Sequence, residues 1–178
     1  MLSALVSGGI GILGVWVGAR VAHGSQRELA ERDREENRRG LAAALAAELE
    51  GYFAIVHRRG HVERAQRIRR QLAIDGVPIG GWLRADEGPL DPFPIAQARM
   101  ADIGILGPVA SDLARLYTWI AGVRTTLIEV ERGRFDALAP DGKLELVEEE
   151  LQVWAEAQAM ADQLLPKLRA IATEPKQG

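Results

Sequence analysis

The chain has no cysteine, which excludes a disulfide framework, a thiolate metal site and a cysteine nucleophile. Aromatic residues make up only 5% of its 178 residues, and the densest basic stretch, His57 to Arg70, has none interleaved to stack exposed bases. A net charge of −3 gives no global pull toward nucleic acid. The serine-hydrolase elbow, the phosphate-binding loop and the dinucleotide glycine fingerprint are all missing. Strand-like alternation is missing too, so the fold class read from the sequence is all-α. Histidine is scarce. His57 and His61 stand four apart, a zinc-ligand spacing that Glu50 or Glu63 could complete. However, Gly60 between them breaks the helix and no catalytic glutamate motif accompanies them. The reading that follows is a non-enzymatic protein with no cofactor, no metal and no small-molecule substrate.

There is one long hydrophobic run, Leu2 to Ala22, and the rest of the chain is organised around it. A helix over Met1–Ala19 would be roughly 28 Å long at ~1.5 Å per residue, about one hydrocarbon thickness. The run therefore reads as a single transmembrane anchor over residues 1–22. Its small residues Ala4, Ser7, Gly8, Gly11, Gly14, Gly18 and Ala22 fall within about 60° of one helical meridian. Lipid offers helices no hydrophobic reason to associate, so they pack where small side chains let backbones approach. This face is expected to pack against another membrane helix, from a second copy or from a different protein. A cleavable signal peptide ending at Val17-Gly18-Ala19 is the weaker reading, because nothing basic precedes the apolar run. Arg20, Arg27, Arg32, Arg34, Arg38 and Arg39 all follow it. That asymmetry puts the amino terminus outside and the body in the cytoplasm, in a single pass through the inner (cytoplasmic) membrane.

Residues 23–40 are almost wholly charged beyond Ser25. Arg27–Glu31, Glu28–Arg32 and Glu35–Arg39 are spaced to pair along a solvated helical stalk that continues the anchor. From Leu41 the pattern becomes amphipathic, through Leu45, Leu49, Phe53 and Val56, and Gly60 marks the helix end. Val62 to Leu72 reads as a second, shorter helix folded back after Gly60. Residues 76–93 read as an irregular loop rich in Gly, Pro and Asp, with Trp82 pinning it to the body. Pro94 opens a short helix that Gly104 stops, and Pro108 opens a longer one lasting to about Glu131. A last helix starts after Gly142, carries Leu144, Val147, Leu151, Leu164 and Leu168, and is kinked at Pro166. The three longest amphipathic stretches call for an antiparallel helical bundle over 41–174, with 175–178 as a tail.

The stretch from Asp91 to Arg124 carries Ile103-Gly104-Ile105-Leu106, then Leu113, Leu116 and Tyr117. In this it resembles uncharacterised bacterial, and sometimes phage-encoded, proteins with one N-terminal membrane helix. The resemblance implies a membrane-tethered helical fold and brings no activity with it. The arginine-rich, alanine-rich composition is also what a GC-rich bacterial genome produces.

Arg58, Arg59, Arg64, Arg67, Arg69 and Arg70 form the densest basic cluster. Its in-chain counterpart is the run Glu145, Glu148, Glu149 and Glu150, which the positive end of a helix dipole explains better than acid–base chemistry. Beyond that pairing, the arginines are candidates to contact anionic lipid or an acidic partner protein. The function this supports is an accessory or scaffold subunit, acting through partners by its transmembrane face and its bundle. The alternative is a phage-like lysis or envelope-spanning factor with its body outside, which a C-terminal topology reporter would separate from the first.

Overall fold

The computed structural model describes the backbone over residues 2–75 and 93–175, and side chains over residues 26–73 and 93–175. Among the described residues five α-helices follow in order, α1 (Leu2–Arg59), α2 (His61–Asp75), α3 (Pro94–Ala98), α4 (Val109–Glu131) and α5 (Pro140–Thr173), with a 3₁₀ segment at Met100–Leu106. Among the described residues there is no strand, so the all-α class stands. The irregular loop at 76–93 and the pinning role of Trp82 fall on residues 76–92, outside the described residues. So does most of the tail, residues 176–178.

Helix α1 runs 58 residues without a break, about 87 Å at ~1.5 Å per residue. Stalk and first bundle helix are therefore one element, and Gly40 between them does not interrupt it. Beyond the stalk its apolar residues recur every three or four positions, which puts Leu41, Leu45, Leu49, Phe53 and Val56 on one buried face. The helix ends because Gly60 adopts φ +63°, a left-handed conformation that L side chains resist.

Helix α5 is the common partner of α1, α2 and α4. Arg169 meets Glu50 at 2.7 Å and the Trp154 ring lies 5.9 Å from that of Phe53, so α1 and α5 run antiparallel. Lys167 and Asp112, 4.0 Å apart, begin the same antiparallel pairing between α5 and α4. The bundle is thus antiparallel through α5, while α1 and α4 run parallel to each other.

The structure differs from or sharpens the sequence reading at three points. Helix α2 follows the Gly60 turn and packs mainly on α5, where Arg69 meets Glu148 at 2.7 Å and Ile68 and Leu72 share a cluster with Val147. The segment opened by Pro94 is not stopped at Gly104. A 3₁₀ turn carries it to Gly107, whose φ of +65° allows the reversal into Pro108. Helix α5 also begins earlier than expected, with Pro140 in its first turn, and it continues through Pro166.

The main core joins α1, α3, the 3₁₀ segment, α4 and α5 around Leu45, Leu49, Leu113, Leu116, Leu164 and Leu168, each at most 1% exposed. Burying one such leucine is worth about 1.5–3 kcal/mol. A smaller cluster of Ile68, Leu72, Val130 and Val147 lies near the Gly60 end. Among the described residues no helix has a window long and apolar enough to cross a membrane. The expected anchor over residues 1–22, with its stripe Ala4, Ser7, Gly8, Gly11, Gly14, Gly18 and Ala22, falls where α1 is described as a helical backbone without side chains. That expectation lies outside the described side chains.

Candidate functional site

The two ends of the bundle differ in their polar chemistry. At the stalk end, Arg38 binds the carboxylates of Glu35 and Glu174, and Arg39 donates to the Glu174 backbone oxygen at 3.1 Å. The Arg38 hydrogen bond holds the Glu35 carboxyl below its ordinary pKa, with Arg38 and Arg39 charge adding to it and desolvation opposing. The expected Glu35–Arg39 pair is present at 3.6 Å. These contacts tie the end of α5 to the point where α1 leaves the bundle.

Glu48 does a job that the sequence pattern did not reveal. Its carboxylate accepts the backbone N–H groups of Ile95 at 2.6 Å and Ala96 at 3.1 Å. Helix α3 has no side-chain cap of its own, so a residue from α1 supplies the missing acceptor. Beside it the Tyr117 hydroxyl is buried, and burial, then the Glu48 charge, push its pKa above the ordinary phenol value. Burial does the same to Tyr52. Tyr52, Phe53, Phe93, Tyr117 and Trp154 form a chain of ring contacts between 4.6 and 6.1 Å, which fixes α3 and α5 onto α1 and α4. Arg99 reaches back from the turn after α3 to Asn37 at 2.6 Å.

The basic cluster lies at the other end. Arg58 and Arg59 occupy the last turn of α1, and Arg64, Arg67, Arg69 and Arg70 lie on α2. All are exposed except Arg64, which is half-buried. Of the expected pairings with the α5 glutamates, that of Arg69 with Glu148 is made. Arg64 donates to the Arg59 backbone oxygen at 3.0 Å, bridging the Gly60 turn. Glu145 and Glu149 are exposed. Glu150 is half-buried, with one carboxylate oxygen enclosed and unpartnered. Burial raises its pKa above the ordinary carboxyl value, a Thr126 hydrogen bond opposes the shift and Glu149 adds to it.

His57 is exposed and His61 is half-buried, on opposite sides of the Gly60 turn. Among the described residues no group of three or more His, Cys, Asp or Glu is placed to hold a metal ion. The arrangement at the Gly60 end offers a local excess of guanidinium groups, suited to binding carboxylate or phosphate. Comparisons with protein-family models, with curated proteins and with solved structures find no match for this chain.

Proposed function

We propose that the chain is a non-enzymatic, membrane-tethered accessory or scaffold protein that works through protein partners. The observation carrying this reading is the continuity of α1. The helix that contributes Leu41, Leu45 and Leu49 to the core extends without a break to Leu2, so it joins the apolar run to the bundle as one rod. The apolar run supplies the anchor, and its small-residue face supplies a surface for a second membrane helix. The arginines after the run orient the body toward the cytoplasm. Residues 23–40 hold the bundle off the membrane by roughly 25 Å along the helix axis.

The test is co-purification in mild detergent of the intact chain beside a Gly11→Leu/Gly14→Leu/Gly18→Leu variant. Membrane fractionation and a C-terminal topology reporter accompany it. Recovery in the membrane fraction, a cytoplasmic reporter and a bound membrane protein lost in the variant would support the proposal. Recovery of the wild-type chain free of membranes would end it. An external reporter would favour the envelope-spanning alternative.

A further inference from the structure

We infer that the arginine face at the Gly60 turn docks an acidic segment of another protein, well clear of the bilayer that holds the anchor. The inference rests on the anchored reading above and narrows its partner. Arg58, Arg67 and Arg70 are exposed and have no carboxylate partner among the described residues. Arg58 and Arg70 lie across their helices from the buried residues Val56, Ile68 and Leu72, and Arg67 is one turn from Arg70 on α2, so the three are exposed where α1 gives way to α2. Between Arg58 and Arg70 the only acidic residue is Glu63. Six guanidinium groups between residues 58 and 70 raise the local positive potential and are matched best by planar carboxylates, which they bind in bidentate fashion.

Distance separates lipid from protein as the source of that negative charge. Counted along the unbroken α1, Arg58 stands roughly 54 Å beyond Ala22 at ~1.5 Å per residue. A tilt of up to about 40° still leaves it about 40 Å above the headgroups. That is some five Debye lengths at physiological salt, where the screening length is ~8 Å. Headgroups of the same bilayer therefore exert almost no pull on this face. Nucleic acid fits less well than protein. The exposed carboxylates Glu145, Glu148 and Glu149 begin the neighbouring helix α5 and repel a continuous phosphate track, and the cluster has no interleaved aromatic on which a base could stack.

The test uses the full-length chain in lipid nanodiscs of phosphatidylcholine, with or without phosphatidylserine. Because cysteine is absent, Arg58→Cys gives a single site for a spin label. Binding of a fluorescent glutamate-rich peptide and of a fluorescent single-stranded oligonucleotide is measured alongside. The peptide should bind, and Arg58→Glu/Arg67→Glu/Arg70→Glu should weaken it by at least about tenfold. The spin label should show no lipid contact in either disc. Circular dichroism verifies the folded state, and Arg→Gln at the same three positions replaces the charge reversal if that variant fails to fold. Absent peptide binding, binding indifferent to these substitutions, tighter oligonucleotide binding, or lipid contact at position 58 would each overturn the inference. If the anchored reading is what fails, the chain does not enter the discs, while the peptide measurement still reports on the arginine face.

Discussion

Helices α4 and α5 run through both ends of the bundle, yet the two ends are packed very differently. Toward the stalk, α1 adds Leu41, Leu45 and Leu49, almost one leucine per turn, and the core there also takes in Phe93, Leu106 and Tyr117. Toward the Gly60 turn the third helix is α2, which adds Ile68 and Leu72 to Val130 and Val147. The contrast follows from α2 itself, where arginine or glutamine occupies most positions between the two apolar contacts. Buried apolar area sets local stability, so the stalk end is the anchor of the fold and the Gly60 end is the part that opens first. The exposed arginines sit on the weaker end.

Truncating the strong end should have the largest effect. Leu113→Ala removes a fully buried side chain and should cost about 2–5 kcal/mol, read as a lowered denaturation midpoint with loss of protection across all helices. Val147→Ala should cost less, about 1–3 kcal/mol. If the two ends differ as described, hydrogen exchange will speed up in α2 and the first turns of α5 and leave Leu41–Phe53 protected. Uniform loss of protection would show the ends to be one cooperative unit. Glu48→Ala should cost about 1 kcal/mol by removing the acceptor for the start of α3. Its exchange signature should be confined to residues 94–106.

The smallest effect tests the border between the two ends. The Glu150 carboxyl titrates above its ordinary value because burial disfavours the charged form. Between the unfolded and the folded pKa the native state holds the extra proton, so this group's contribution falls as pH rises through that window. Glu150→Gln should therefore stabilise the protein at neutral pH and flatten that part of the stability–pH curve. Equal stability of variant and wild type at neutral pH would show that Glu150 is solvated rather than enclosed.

The helices were legible because their signals are local. Leu41–Leu45–Leu49, Leu113–Leu116–Ile120 and Leu164–Leu168–Ile171 repeat with the period of a helix, and Gly60, Pro94 and Pro108 mark real boundaries. What was misread depends on partners distant in the chain. Gly104 and Gly107 are equally plausible stops in a string of letters, and only the positive φ at Gly107 shows where the chain reverses. The direction of α2 is set by Val130 and Val147, more than fifty residues away. Glu48 reads as an ordinary helix glutamate until α3 is brought against it. For the arginine face, the positions were legible but the pairing was not, since which guanidinium meets which glutamate depends on how α2 lies on α5.

The central place of α5 also bears on synthesis. The apolar face of α1 finds its main cover in α5, more than one hundred residues later in the chain. Until α5 is made, Leu41, Leu45 and Leu49 lack the helix that covers most of their face, and closing that long loop is the slow step that local helix formation cannot bypass. The charged residues 26–39 then flank this uncovered apolar face and help keep it soluble until α5 arrives.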